Sequence, residues 1–201
     1  MKKYYVDLNH PEKGIYDNWS VCEAEKKKGG TFFKGFATIE EANAAVRGEV
    51  PPLVIKADAI AEEPELPEVY AFTDGSFNTE TGTYGYGGFL MHGEEEYILQ
   101  GSGNDPVAAK SRNVSGEVLG AMAAVKKAQE LGIDKLTVFY DYEGIAKWAL
   151  GQWKTNIDLT KEYAAYMKTC GIDLEFIHVK AHTGIPGNER ADKLAKDAVG
   201  L

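Results

Sequence analysis

Cysteine is scarce in this chain. Cys22 and Cys170 are the two in 201 residues, and they lie far apart in sequence. Two isolated thiols give neither a disulfide framework nor a cysteine-based zinc site, and they fit a reducing compartment. Long apolar runs are missing too. No stretch approaches the roughly 20 residues that a membrane-spanning helix needs. No apolar core follows the lysines of Met1-Lys2-Lys3-Tyr4-Tyr5-Val6-Asp7 as it would in a secretory signal. The expected location is therefore the cytoplasm, with no membrane association. Internal repeats are absent. So is a basic excess: the formal net charge is -9, which taken alone disfavours a nucleic-acid partner. The deficit is uneven. Residues 1–50 hold eight basic and eight acidic side chains, residues 51–67 set Lys56 against four acids, and residues 68–201 hold 13 basic and 19 acidic. If several of those acids hold divalent cations, the working surface is less negative than the formal count.

What is present is an ordinary folded composition, 44% hydrophobic and 26% charged, long enough for one or two domains. Residues 4–7 read as a strand, Asn9 to Gly14 as a turn, and Gly14-Ile15-Tyr16 as a short second strand. A helix follows, for which Ser20 and Glu23 have capping-box spacing. Thr31 to Phe36 alternates as a strand, and Thr38 caps a helix that carries Ala42, Ala45 and Val46 on one face. This predicts a small β-β-α-β-α domain over 1–48. Its aromatics Tyr5, Trp19, Phe33 and Phe36 lie among Lys26, Lys27, Lys28 and Lys34. Such residues either build a core or stack on sugars and bases while the lysines meet phosphate. Residues 49–67, rich in Pro, Ala and Glu, read as an extended, solvated linker.

Residues 68–201 form the second domain. Val69 to Asp74 is an apolar, β-prone run that ends in a carboxylate, with Gly75 and Ser76 next. Tyr84 to Met91 is a strand with glycines on one face, where another backbone could come close. Glu95 to Gly101 completes a meander. A helix begins near Asn113 to Glu117, a strand runs from Ile133 to Tyr140 and leads into Asp141, and helices are predicted over Glu143 to Trp153 and Leu159 to Cys170. A last strand covers Leu174 to Val179, a loop Lys180 to Asn188, and a helix Glu189 to Val199. Three strands followed by strand–helix alternation give an α/β fold with a mixed five-stranded sheet and helices on both faces.

Two carboxylates, Asp74 and Asp141, end strands. Glu117 lies at the N-terminal end of a helix and Asp192 near the start of the last one. Each has an ordinary explanation: a favourable helix-dipole position for Glu117, a cap for Asp141, a solvated surface for Asp192. If the strands of Asp74 and Asp141 are parallel neighbours, however, the acids converge and raise one another's pKa. Hard divalent cations relieve that, because Mg²⁺ prefers carboxylate oxygens. Two such ions about 4 Å apart suit phosphodiester hydrolysis.

Thr73-Asp74-Gly75-Ser76, Gly116-Glu117, Asp141-Tyr142 and the segment from Val179-Lys180-Ala181-His182-Thr183-Gly184 through Gly187-Asn188-Glu189-Arg190-Ala191-Asp192, taken in order, resemble ribonuclease H type 1. Residues 4–46 are similar to the hybrid-binding N-terminal domain of cellular ribonucleases H1. The resemblance implies an RNase H-like fold and a hydrolase, an endonuclease that cuts the RNA strand of RNA–DNA hybrids and leaves 3′-hydroxyl and 5′-phosphate ends. It implies two Mg²⁺ ions per site, with Mn²⁺ able to substitute, and no obligate protein partner. Asp74 would bridge both ions, Asp192 would hold the nucleophile side, and Glu117 and Asp141 the leaving-group side. His182 would assist proton transfer or product release, with Glu189 nearby. Asn113 would meet RNA 2′-hydroxyls; Lys110, Arg112 and Thr160 would grip DNA-strand phosphate. In the N-terminal domain, Tyr5 and Trp19 would meet the DNA strand, and Phe33 and Lys34 the backbone. Arg112-Asn113-Val114-Ser115-Gly116 departs from the family's usual Thr-Asn-Asn/Gln-Arg, and the basic helix that some bacterial members use to grip substrate is missing. Rival readings are a duplex-binding module on the same fold, a DNA nuclease or strand transferase of the same superfamily, and an N-terminal domain that takes double-stranded RNA.

Overall fold

The structure is a computed structural model that describes residues 4–7, 10–27, 33–36, 38–47, 54–60 and 64–201. Contacts divide the chain into two units, Met1–Pro52 and Leu53–Leu201.

In the first unit, β1 (Tyr4–Asp7) lies between β2 (Ile15–Tyr16) and β3 (Phe33–Phe36), antiparallel to both. A 3-10 turn at Pro11–Lys13 joins β1 to β2; α1 (Trp19–Lys26) and α2 (Ile39–Val46) complete the expected β-β-α-β-α order. Val6, Phe36, Ala42 and Ala45 form its core, with Tyr4, Ile15 and Val46 packed around them. The cap of α1 differs from expectation. Asn18, not Ser20, is the capping residue, its side chain accepting the Ser20 N–H at 2.9 Å. Helix α1 starts one residue before Ser20, so Ser20 is the donor rather than the cap. Asp7 is fully buried beside His10 Nδ1 (3.1 Å) and Lys13 Nζ (4.0 Å), so it adds nothing negative to this unit's surface.

The second unit holds the five expected strands, β5 (Val69–Asn78), β6 (Thr83–His92), β7 (Glu95–Gly103), β8 (Lys135–Tyr140) and β9 (Asp173–Val179). A sixth strand, β4 (Val54–Ile60), joins at one edge to give the order β4-β9-β8-β5-β6-β7. Strand β4 falls inside the expected linker and corrects its bounds. Val54, Ile55 and Lys56 pair in parallel with Glu175, Phe176 and Ile177, so this part of the acidic, proline-flanked stretch gains a ladder of backbone hydrogen bonds instead of remaining solvated. The meander β5-β6-β7 is antiparallel, and β5-β8-β9 are parallel.

Helices α3 (Asn113–Glu130), α4 (Gly144–Ala149) and α5 (Asp158–Thr169) pack together, and α6 (Pro186–Val199) lies across the other face. The pleat of β6 shows the division. Tyr86 touches Gly120 of α3, whereas the next residue, Gly87, meets the α6 backbone at Ala195. Phe72, Phe89, Phe139, Ile177, Val179, Ile185 and Ala191 form the α6-side core, with Phe72 and Phe139 stacked at 4.4 Å. Arg190 forks onto Glu96 and lies over the Phe89 ring at 4.7 Å, which braces α6 against β6 and β7.

Two helix bounds differ from those expected. Gly151, with φ +66°, follows the end of α4, which closes at Ala149 rather than near Trp153. Helix α6 begins at Pro186 rather than Glu189. Proline at the first helical position needs no hydrogen bond for a missing N–H, and a side chain on Gly187 would collide with the Phe72 ring.

Strand β5 and the start of α3 come into close backbone contact. A Cβ on Gly75 would lie 2.8 Å from the Gly116 carbonyl carbon and nearer still to Asn113 O and Glu117 N; a Cβ on Gly116 would strike Gly85 O. Gly75→Ala should therefore destabilise the protein by about 3 kcal/mol, because the wedge meets backbone that cannot rotate away. That corresponds to a Tm drop of roughly 6–12 °C for a domain of this size. Differential scanning calorimetry would check it, and an unchanged Tm would show that α3 yields freely.

Candidate metal centre

Strand β5 carries Asp74 and strand β8 runs directly into Asp141. The two strands are parallel neighbours with Phe72 opposite Phe139. Two residues further along each chain, on the same side of the pleat, stand Asp74 and Asp141. Glu117 enters from the first turns of α3, brought close by the Gly75–Gly116 contact. Asp74, Glu117 and Asp141 each offer an oxygen, and these oxygens lie within 4.8 Å of one another. Among the described residues this is the one group of three or more metal-ligating side chains at that spacing.

The cluster is mostly buried: Glu117 is 2% exposed and Asp74 7%. Burial, then the Asp141 charge, pushes Asp74 up to about 6, although hydrogen bonds from Glu117 and the Gly75 N–H (2.6 Å to Oδ1) oppose the rise. Glu117 is raised well above the ordinary carboxylate range, first by burial and then by the charges of Asp74 and Asp141. Asp141 is also raised by burial, against a hydrogen bond from Asn188 and the charges of His178 and His182. Glu117 Oε2 is buried without a hydrogen-bond partner. A buried, orphaned carboxylate oxygen beside two more carboxylates suits a hard cation, since Ca²⁺- and Mg²⁺-type ions take oxygen ligands and offset such repulsion. The residues present fit a divalent metal.

Asp192 stands apart from that trio. It lies in the second turn of α6, with Oδ2 accepting from Lys196 Nζ at 2.7 Å, yet its charge bears on both Asp74 and Asp141. His182 is exposed in the loop before α6, with φ +55°, a left-handed conformation that non-glycine residues rarely take; its charge reaches Asp141. Glu189 is exposed in the first turn of α6. Lys110 and Arg112 are exposed where a 3-10 turn (Ala108–Ser111) meets α3, and Asn113 is the first residue of α3, one turn before Glu117. Ser115 Oγ donates to Ala108 O at 2.7 Å and pins that turn to the helix.

Two expected contacts are not accessible. Thr160 is 3% exposed and its hydroxyl donates to Ile157 O at 2.9 Å, so it closes the first turn of α5 instead of gripping phosphate. Phe33 is 5% exposed and packs edge-on against Tyr16 (centroids 5.2 Å apart), so it is core. Tyr5 and Trp19 do form a pair, with centroids 5.0 Å apart, and Trp19 is exposed. Lys34 lies on β3, but its side chain, like that of Lys26, is outside the described residues, as is Lys28. One residue in contact with the cluster was not singled out from the sequence. Asn188, 3% exposed, donates Nδ2 to Asp141 Oδ2 at 3.2 Å. Its signal was its place four residues before Asp192, on the same side of the helix.

With this geometry established, comparison with known proteins is consistent throughout. The RNase H family model matches residues 67–200, and the Ribonuclease H1 N-terminal domain model matches residues 3–46. The chain belongs to the RNase H family, whose members are metal-dependent hydrolases of the RNA in RNA–DNA hybrids. A ribonuclease H of Bradyrhizobium sp. (strain ORS 278) is 35% identical over 147 residues, which cover 68% of this chain and 93% of that one. Ribonuclease H1 of Rattus norvegicus is 25% identical over 253 residues, covering 96% of this chain and 88% of its own. RNase H1 from the halophilic archaeon Halobacterium salinarum NRC-1 superposes with a TM-score of 0.51 at 27% identity, covering 66% of this chain and 97% of that one. No helix among the described residues is long and apolar enough to cross a membrane.

The raised carboxyls predict a pH effect on the metal-free protein. For an acid whose folded pKa lies above its unfolded value, the penalty falls on the ionised form. The stability that protonation of Asp74 confers is complete below about pH 4 and is lost as pH rises through about 6. The rise of about two units corresponds to a penalty on the order of 2–3 kcal/mol at neutral pH. In EDTA at pH 8, Asp74→Asn should therefore melt roughly 5 °C or more above wild type, and the gap should close toward about pH 4. Equal melting temperatures at pH 8 would contradict the burial penalty.

Proposed function

We propose that this protein is an endonuclease that cuts the RNA strand of RNA–DNA hybrids and leaves 3′-hydroxyl and 5′-phosphate ends, with Mg²⁺ as its metal and Mn²⁺ as a substitute. The observation that carries this reading is the convergence of Asp74, Glu117 and Asp141, three carboxylates from three elements, with oxygens inside 4.8 Å and one of them orphaned.

Asp74, which feels the charges of Asp141 and Asp192 and shares a hydrogen bond with Glu117, would help hold both ions, one with Glu117 and Asp141 and the other with Asp192. Bound there, the metal ions supply an activated water and stabilisation of the leaving oxygen. Glu117 must be ionised to act as a ligand, so a metal ion would compete with the proton that its burial favours. His182, exposed and near enough to feel Asp141, would carry a proton or help product depart, with Glu189 in the first turn of α6. Asn113 presents an amide that can bond to a 2′-hydroxyl, the group that separates RNA from DNA. Lys110 and Arg112 offer cations to backbone phosphate. In the first unit, the Tyr5–Trp19 pair is the stacking surface for the hybrid.

The test is cleavage of a hybrid labelled on its RNA strand, beside matched all-DNA and all-RNA duplexes, in Mg²⁺ with an EDTA control. Wild type should cut only the RNA of the hybrid, and Asp74→Asn should lower kcat by at least 10³-fold, as expected when a bridging ligand is lost. A hybrid bound but never cut in Mg²⁺ or Mn²⁺ would leave a duplex-binding protein; cleavage of the all-DNA duplex would favour a DNA nuclease. Removing residues 1–52 should raise KM on long hybrids several-fold with kcat little changed, because a second binding unit raises the effective concentration of substrate. Equal KM in both forms would deny the first unit that role.

A further inference from the structure

We infer that Asn188 is a positioning residue, whose Nδ2 amide holds the Asp141 carboxylate in place for metal binding; this rests on the metal-dependent reading above. Asn188 is 3% exposed and its Nδ2 lies 3.2 Å from Asp141 Oδ2. Its other amide atom, Oδ1, is buried with no hydrogen-bond partner. The opposite orientation of the amide would set Oδ1 against a carboxylate oxygen, so chemistry fixes the donor toward Asp141. A buried asparagine that leaves its acceptor unpaired in order to keep its donor on a carboxylate has its side chain committed to that carboxylate.

Asp141 needs such a restraint. It lies just past the end of β8, where the paired ladder with β9 stops at Tyr140 opposite His178. His178 Nε2 lies 2.9 Å from the Asp141 main-chain oxygen, which holds the backbone. The carboxylate itself is held by Asn188. With Oδ2 engaged by the amide, Oδ1 is the oxygen left for an ion. The amide is neutral, so it orients the carboxylate without cancelling the charge a cation requires.

The foundation of Asn188 is firm. Gly187 packs flat on the Phe72 ring, where a Cβ would come within 2.5 Å of Cε2, and Phe72 stacks on Phe139. The first turn of α6 is thus fixed to the two strands that carry Asp74 and Asp141. Asn188 and Asp192 are four residues apart on one helix, so one rigid element both orients Asp141 and supplies the fourth acid.

The test is calorimetric titration of Mn²⁺ into the full-length chain without nucleic acid, for wild type, Asn188→Ala and the near-isosteric Asn188→Leu, with Tm in EDTA recorded for each. Both variants should bind Mn²⁺ about tenfold more weakly, the range found when hydrogen-bond partners of metal ligands are removed. The Mg²⁺ concentration for half-maximal cleavage should rise in parallel. As a measurement independent of how the variants fold, the Asn188 side-chain amide protons of wild type should shift and exchange more slowly on Mg²⁺ addition in NMR spectra. Wild type binding Mn²⁺ with folded variants within twofold of it would overturn the role of Asn188 alone, as would an amide signal indifferent to Mg²⁺. A wild type that binds no Mn²⁺ would overturn both this inference and the metal-dependent reading.

Discussion

Mutual repulsion among three carboxylates, two buried and one half-buried, is the constraint around which the second unit is built. Asp74, Glu117 and Asp141 sit where water cannot fully solvate them, and their proximity raises the cost of ionising each one. A fold left to maximise its own stability would separate them. Here the parallel register of β5 and β8 places two of them side by side, and a glycine-to-glycine contact brings in the third. Asn188 holds one acid, and Lys196 holds a fourth a short distance off. The stacked rings beneath, Phe72 on Phe139, recover in packing part of what the acids take from stability.

Much of this was legible in the residues, for identifiable reasons. Asp74 and Asp141 each follow an apolar, β-prone run, and parallel pairing makes such residues neighbours. The order of Asp74, Glu117, Asp141 and the His182-to-Asp192 segment carried the family resemblance. The glycines of β6 announced a close approach, and α6 supplies it at Gly87. Other features were hidden because they depend on partners distant in sequence. Strand β4 has the composition of a linker and becomes a strand because the β9 edge is free to pair with it. The Pro-Gly start of α6 looks like a loop until the Phe72 ring is seen beneath Gly187. Thr160 and Phe33 have side chains suited to nucleic acid, yet packing turns both inward; exposure is a tertiary property that residue type alone does not fix. Asn188 was visible as a letter in a motif but not as a donor, because its partner is 47 residues away.

The acidic charge also changes meaning once placed. Part of the formal -9 belongs to side chains in the acidic cluster whose ionisation burial opposes, and Asp7 is internal beside His10 and Lys13. Lys110 and Arg112 stand exposed where the 3-10 turn meets the helix that carries Glu117. Net charge read from composition understates how well such a protein can face a phosphate backbone.

The Gly75–Gly116 contact has a genetic consequence. Neither residue offers an atom to chemistry, yet a side chain at Gly75 would wedge against the start of α3 at Glu117, and one at Gly116 would wedge against Gly85 O of β6. A saturation screen for inactive alleles would thus return these glycines beside the acids. Their lesions would be suppressible by second-site changes that loosen the meander, whereas those at Asp74 would not. Two positions that look like spacers carry the mutational fragility of an active site.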